Sequence, residues 1–181
     1  PASGLRVTPS LKALVAALAM IAVAGCAQER SRGGYSGASG GKEYFPQGSK
    51  YGRASPRVFL EGQRIPKGGG RHLVGRPYRI AGRTYVPSEK VVGSSFTGMA
   101  SWYGAAFHGR RTANGEVYDM RSITAAHPTM PLPSYVRVTN LKNARSIIVR
   151  VNDRGPYHGG RVMDLSQRVA ELLEFRGAGT A

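Results

Sequence analysis

Cys26 is the only cysteine among the 181 residues, so no disulfide can form within the chain. Acidic residues are also scarce, with 10 Asp and Glu against 26 Lys and Arg, which gives a net charge of +16. No internal repeat or heptad occurs, and no long amphipathic helix is indicated before residue 160, which excludes repeat arrays and coiled coils. The one dense apolar run, Ala13–Val23, is too short to span a bilayer comfortably.

The positive charge is concentrated in the first half of the chain. Residues 1–98 hold 15 Lys and Arg and 4 Asp and Glu, a balance of +11, whereas residues 99–181 have a balance of +5. A basic, Gly-rich arm can bind nucleic acid, anionic lipid head groups or an acidic cell-wall polymer. No recognisable nucleic-acid module accompanies the arm, and the N-terminal segment points to export. We therefore expect no nucleic acid as a partner.

Residues 1–25 have the form of a secretory signal, with basic residues before the apolar core and small residues after it. The core ends in Val23-Ala24-Gly25-Cys26, which resembles the lipobox of bacterial lipoproteins, in which the Cys is lipidated and becomes the mature N-terminus. We therefore expect lipidation of Cys26 and a membrane anchor made by lipid chains. The alternative is a chance cysteine after a plain signal. The residue after Cys26 is Ala27 and not an Asp, which would be an inner-membrane retention signal. We therefore expect the protein at the periplasmic face of the outer membrane.

Composition divides the remaining chain into three segments. Residues 26–71 are rich in Gly, Ser, Arg and Lys and cannot bury enough surface to offset their ordering entropy, so we expect a flexible tether. Residues 72–97 contain two short β-rich pieces around Gly82, which predicts a lead-in hairpin docked on the following domain. Residues 98–181 form the domain that follows.

The pattern of residues 98–181 is mostly β. Strand candidates are separated by Gly and Pro, and Ser166 is a plausible N-cap for one short helix that stops at Gly177. Many short strands with one short helix indicate a small β-barrel. The strand candidates are Met99–Tyr103, Tyr135–Asn140, Ser146–Asn152 and Arg161–Leu165. Residues 140–145 look like the connection of a hairpin between the second and the third candidate.

Several motifs of this region resemble the RlpA (rare lipoprotein A) family, and they follow one another in the family's order. They are Ala100-Ser101-Trp102-Tyr103-Gly104, Phe107-His108-Gly109-Arg110, Thr112-Ala113-Asn114-Gly115-Glu116-Val117-Tyr118-Asp119-Met120, Thr124-Ala125-Ala126-His127, Val149-Arg150-Val151-Asn152-Asp153-Arg154-Gly155-Pro156 and Arg161-Val162-Met163-Asp164-Leu165-Ser166. The resemblance implies a mainly β fold, a small six-stranded double-psi β-barrel with a short helix. The family pattern continues into a further strand after this helix, so we expect residues 98–181 to be C-terminally truncated.

The resemblance also implies an activity. Such a protein would be an endolytic peptidoglycan lytic transglycosylase, which cleaves MurNAc–GlcNAc bonds of peptide-poor (denuded) glycan strands and forms 1,6-anhydro-MurNAc ends in cell wall remodelling and daughter-cell separation. One alternative is a non-catalytic, expansin-like peptidoglycan-binding lipoprotein. Another is a structural lipoprotein that tethers divisome proteins. No cofactor is implied, and no ligand-like spacing around His108 and His158 suggests a metal.

Cleaving a glycosidic bond without water needs at least one carboxyl with a raised pKa, which protonates the leaving oxygen and later removes a proton from the C6 hydroxyl. Asp153 is our candidate. Alternation along the strand places it on the apolar face of Val149 and Val151, where desolvation would raise its pKa. The alternative is that Asp153 only begins a turn before Gly and Pro. The resemblance favours the catalytic role.

Other site residues are carried over from the same motifs. Glu116 would stabilise positive charge at the anomeric carbon or hold a sugar hydroxyl, and His127 would orient a carboxylate. Four residues are expected to contact the substrate, and for the two aromatic ones core filling is an equal alternative to sugar stacking. The four are Trp102, Tyr103, Asn114 and Arg154.

Overall fold

The structure is a computed structural model that describes residues 55–89 and 93–181. The predicted signal peptide (residues 1–25), Cys26 and the first part of the predicted tether lie outside the described residues. Within the two described ranges, no helix has the length and apolar character needed to cross a membrane.

Seven short strands, one α-helix and one 3-10 helix make up the regular structure of the described residues. They are β1 (Tyr78–Ile80), β2 (Arg83–Tyr85), β3 (Ala100–Tyr103), β4 (Thr124–Ala126), β5 (Ser134–Thr139), β6 (Ser146–Asp153), β7 (Met163–Ser166), α1 (Gln167–Leu172) and the 3-10 helix Arg176–Ala178. The helix begins at the predicted N-cap, because Ser166 Oγ accepts a hydrogen bond from Val169 N at 3.3 Å. A mainly β fold with one short helix is thus confirmed.

Strands β3 to β7 form one mixed sheet in the order β3-β7-β4-β6-β5. β5 and β6 pair antiparallel as the predicted hairpin, whereas β3 with β7 and β4 with β6 pair parallel. The resemblance implies six barrel strands; the sheet has five within the described residues, and Thr180 adds an antiparallel bridge to Ser101 beside β3. Because β4 and β6 pair parallel, their C-terminal ends lie at the same end of the sheet.

Buried apolar side chains form two clusters. The larger one joins the sheet to α1 and includes Trp102, Val149, Val151, Leu165 and Val169. The smaller one consists of Tyr103, Tyr118, Met120 and Ala126. Neighbouring residues of β3 and β4 enter different clusters, as side chains that alternate between the two faces of a sheet must.

A bulge in β6 decides which way Asp153 points. In the register with β4, Ala125 lies opposite Val151 but Ala126 lies opposite Asp153, so Asn152 is an extra residue. Residues opposite each other project to the same face of a sheet. Asp153 therefore shares the face of Ala126, and the prediction that it shares the face of the buried valines is wrong, because the extra residue shifts the alternation by one.

The predicted hairpin is present and docked. β1 and β2 pair antiparallel and join through Ala81 and Gly82, which both have positive φ (51° and 79°) as a tight two-residue hairpin turn requires. Tyr78 Oη donates a hydrogen bond to Pro128 O at 2.7 Å. The hairpin is thereby fixed to the loop after β4.

Residues 55–71, the end of the segment predicted to be a tether, lie against the connection between β3 and β4. Val58 N donates to Gly109 O at 2.7 Å, and Arg71 N donates to Asn114 O at 2.9 Å. This stretch differs from the flexible tether expected up to residue 71, because its backbone groups are bonded to that connection.

Candidate active site

Three side chains hold the buried carboxylate of Glu116 against one face of β6. Arg150 Nη2 and Nε donate to Oε1 at 2.6 and 3.1 Å, Asn152 Nδ2 donates to Oε2 at 2.9 Å, and Asn114 Nδ2 donates to Oε1 at 2.9 Å. Arg150 and Asn152 are two residues apart on a strand, so both project to the face where Glu116 lies. Only 6% of Glu116 is exposed.

These contacts decide the protonation state of Glu116. Burial alone would raise the pKa of Glu116, but hydrogen bonds from Arg150, Asn152 and Asn114, together with the charge of Arg150, outweigh burial and lower that pKa below its usual value. Glu116 is therefore ionised at neutral pH.

Asp153 ends β6 and is only partly exposed. Its Oδ1 accepts hydrogen bonds from Ala113 N at 2.9 Å and Arg154 N at 2.8 Å. Burial raises the pKa of Asp153 to about 6, although the two backbone bonds and the charge of Arg154 act in the opposite direction. Because both bonds end on Oδ1, a proton on Oδ2 leaves them in place. This carboxyl can thus donate a proton near neutral pH.

The loop of residues 112–116 brings the two carboxyl groups together. It closes through a bond from Thr112 N to Glu116 O at 2.8 Å. Its Ala113 N–H binds Asp153, and its Glu116 side chain binds Arg150 on the same strand. The predicted pair of carboxyls therefore lies on one loop and one strand end, with different charge states.

His127 follows β4 and adjoins Asp153 through the backbone, because His127 N donates to Asp153 O at 3.0 Å. Its Nδ1 accepts hydrogen bonds from Thr129 N at 3.1 Å and Met130 N at 3.0 Å. The ring is therefore the neutral tautomer with its proton on Nε2. Any bond from His127 to a carboxylate has to be donated by Nε2, and the orienting role stays a prediction.

Arg154, predicted to contact the substrate, is engaged with the protein's own backbone. Its Nη1 donates to the carbonyl groups of Met130 and, at 3.3 Å, His127, and its Nη2 donates to Val74 O at 2.6 Å. Arg154 thus ties the loop after β4 to the segment before β1. These contacts give it a positioning role, and the substrate contact stays a prediction.

The other three predicted substrate contacts are buried: Asn114 is 1% exposed, and Trp102 and Tyr103 are each 3% exposed. Trp102 Nε1 donates to Arg176 O at 3.1 Å, and Tyr103 stacks on Tyr118 with ring centroids 4.2 Å apart. The prediction of sugar stacking by these two rings is wrong, because their faces are covered by the core. Core filling is their role, and Asn114 orients Glu116.

The sequence interpretation missed Arg150 and Asn152, which hold Glu116. Their signal is their spacing: a cation and an amide at alternate positions lead up to Asp153 and must share a strand face. It also missed Tyr78 and Tyr157, whose ring centroids are 6.1 Å apart. Burial is the largest cause of the raised pKa of both phenols, and the charge of Asp153 acts in the same direction.

No group of three or more His, Cys, Asp and Glu side chains within residues 55–89 and 93–181 is arranged to hold a metal ion. His108 Nδ1 lies 3.6 Å from Asp119 Oδ1. The same Nδ1 accepts a hydrogen bond from Met120 N at 3.3 Å. Its contacts are those of a buried structural histidine.

The mixed β-sheet, with its parallel pairing between distant strands, fits a double-psi β-barrel. The Asp153 carboxyl at the end of β6 is bonded to the loop that carries the ionised Glu116. Residues 95–181 match the family described as lytic transglycolase. These residues therefore carry a domain similar to that family, and the relatives below confirm the resemblance to the RlpA family that was drawn from the motifs.

Three relatives, each named endolytic peptidoglycan transglycosylase RlpA, illustrate the similarity. The protein of Neisseria meningitidis serogroup A is 58% identical over 106 residues, which cover 59% of this chain and 44% of that protein. The protein of Pseudomonas aeruginosa is 56% identical over 105 residues (58% and 31%), and that of Vibrio cholerae is 52% identical over 106 residues (59% and 40%). The chain spans less than half the length of these curated relatives.

Proposed function

We propose that this protein is an endolytic peptidoglycan lytic transglycosylase, which cleaves MurNAc–GlcNAc bonds of peptide-poor glycan strands and leaves 1,6-anhydro-MurNAc ends. The observation that carries the proposal is the carboxyl of Asp153, with a pKa of about 6, beside the loop of the ionised Glu116. The names of the relatives support the same reaction class. Cuts of this kind would serve cell wall remodelling and daughter-cell separation.

In the proposed reaction, Asp153 is first an acid and then a base. Its Oδ2–H gives its proton to the bridging oxygen, which leaves as the GlcNAc O4 hydroxyl while the bond to the muramoyl C1 breaks. The Asp153 carboxylate then accepts the proton of the muramoyl C6 hydroxyl as O6 forms its bond to C1. No water is consumed, and Asp153 ends protonated as it began.

Glu116 supports this cycle through the loop that binds Asp153. Its charge is balanced by Arg150 at 2.6 Å, and it fixes the loop that presents Ala113 N–H to Asp153. Because the bond from Ala113 is stronger to a carboxylate than to a carboxylic acid, the loop stabilises Asp153 when its proton has been given away.

The test is product analysis by mass spectrometry after incubation with denuded glycan strands. We expect anhydromuramoyl ends from the parent protein and about 100- to 10,000-fold slower formation of them by Asp153→Asn, with glycan binding retained by both. Retained binding without any cleavage by the parent would favour the non-catalytic, expansin-like function instead. Products with reducing muramic acid ends would indicate hydrolysis and contradict the proposal.

We also propose that Cys26 carries the lipid anchor and that the domain acts at the periplasmic face of the outer membrane, where divisome proteins are candidate partners. The lipobox-like Val23-Ala24-Gly25-Cys26 and the basic residues before the apolar core support this. Radiolabelled palmitate should enter the parent protein but not Cys26→Ser, which should also leave the membrane fraction. Labelling of Cys26→Ser would refute the anchor.

A further inference from the structure

Tyr135 on β5 has 68% of its surface exposed, yet its ring is fixed. Arg150 Nη1 donates a hydrogen bond to its Oη at 2.7 Å, and the guanidinium carbon of Arg150 lies 5.6 Å from the ring centroid. The two residues are direct partners in the β5–β6 register. An aromatic ring held in this way presents a flat apolar surface with little rotamer freedom left to lose on binding.

The same guanidinium connects Tyr135 to the candidate active site. Arg150 reaches Tyr135 through Nη1 and Glu116 through Nη2 and Nε. One planar group therefore separates the exposed ring from the buried carboxylate. The exposed ring is thereby linked through Arg150 to the loop that carries Glu116.

Sugar rings need such a surface, since a pyranose has an apolar C–H face that packs on aromatic rings. Trp102 and Tyr103, the aromatic residues of the family motif, are buried and cannot provide it. Leu141, 75% exposed in the turn after β5, is aliphatic and offers no flat face. Tyr135 combines exposure, a fixed ring and a link through Arg150 to the Glu116 carboxylate.

We propose that Tyr135 is a substrate-binding residue that stacks on a sugar ring of the glycan strand next to the scissile bond, and that Arg150 positions its ring. This rests on the proposed function, because the ligand is the glycan strand of that reaction. The subsite lies on β5, the edge strand of the sheet. The glycan strand would therefore run across β5 towards the end of β6.

Binding is measured first without turnover, in the Asp153→Asn background, with denuded glycan strands as the probe. Aromatic stacking is worth about 0.5–1.5 kcal/mol, so Tyr135→Ala should weaken binding about 2- to 13-fold. Tyr135→Phe keeps the ring and should bind within about twofold of its parent, and the matched control Leu141→Ala should bind unchanged. Parent-like binding by Tyr135→Ala, or an equal loss in Leu141→Ala, would overturn the proposal.

Kinetics in the chain with Asp153 intact separate stacking from a structural role. Tyr135→Ala should raise KM and leave kcat nearly unchanged, whereas Tyr135→Phe should change neither by more than about twofold. If Tyr135→Phe lost as much as Tyr135→Ala, the hydroxyl's hold on Arg150 would be the sole function and stacking would be refuted. A parent protein that binds glycan through Tyr135 but releases no anhydromuramoyl products would contradict the proposed reaction. That result would still support Tyr135 as a glycan-binding subsite.

Discussion

Ala113 donates its backbone N–H to Oδ1 of Asp153 across 2.9 Å. This bond joins the loop that holds Glu116 to the carboxyl whose pKa is raised. The bond favours the ionised form of Asp153, while burial favours the protonated form. The balance leaves a carboxyl that can gain and lose a proton within the ordinary pH range.

Activity should depend on pH through both carboxyls. Asp153 must be protonated to act as the acid, so kcat/KM should fall as pH rises above about 6. Glu116 must be ionised, and its lowered pKa places the acid limb below the usual range of a glutamate. Asp153→Asn should reduce kcat by about 100- to 10,000-fold, the usual size of acid–base catalysis. A profile that rises between pH 6 and 8 would contradict these roles.

Stability should also depend on the charge of Asp153. A folded-state pKa of about 6 against 3.8 means that the stabilisation is complete below about pH 4 and is lost as pH rises through 6. The loss amounts to about 3 kcal/mol, at about 1.4 kcal/mol for each pH unit. Asp153→Asn removes this charge, so thermal melts should show a higher Tm than the parent at pH 7.5 and nearly the same Tm at pH 4. A lower Tm at pH 7.5 would show that the charge is not destabilising.

Arg150→Gln should destabilise the fold and raise the pKa of Glu116. Side-chain exposure is 27% for Arg150 and 7% for Glu116, and leaving a mostly buried carboxylate without its cation costs about 2–4 kcal/mol once partial exposure is allowed for. The acid limb of the pH–rate profile should move to higher pH. The matched control is Arg145→Gln, whose pair with Glu174 is 54% and 56% exposed and should contribute less than about 1 kcal/mol. Equal decreases in the free energy of unfolding in urea for the two variants would refute the stabilising role of the Arg150–Glu116 pair.

Gly70→Ala should disturb the loop of Asn114 and Glu116. A Cβ at residue 70 would lie 2.5 Å from Asn114 Nδ2 and 2.6 Å from Glu116 Cγ, so either the chain before β1 or the site must move, at a cost of about 1–3 kcal/mol. We expect a lower Tm and lower activity. Gly177→Ala meets nothing within 4 Å and should be nearly neutral in both assays. A neutral Gly70→Ala would show that the segment at residue 70 does not pack on the loop.

Local patterns predicted much of this fold. The turn at Gly82 and the alternation in β5 and β6 identified two hairpins, and Ser166 marked the start of the helix. The direction of Asp153 was predicted wrongly, since a bulge depends on pairing with β4, a strand more than 20 residues away. The burial of Trp102 likewise follows from packing between distant elements and not from its own motif.

The candidate site was predictable in its chemistry and not in its contacts. The order of motifs selected Asp153 and Glu116, but only the register of β6 shows that Arg150 and Asn152 both reach Glu116. A cation beside an acid permits either a substrate contact or a contact within the protein, so the motif alone does not distinguish the two for Arg154. Its bond to Val74 O, far away in sequence, shows the contact within the protein.

The protonation of Asp153 is the point on which the proposed chemistry depends, and it can be observed directly. The measurement is an NMR titration of the Asp153 side-chain carboxyl carbon in labelled protein, with Asp153→Asn to assign the signal. We expect a midpoint near pH 6, where burial places it. A midpoint near 3.8, the ordinary value of an aspartate, would contradict its role as a proton donor at neutral pH.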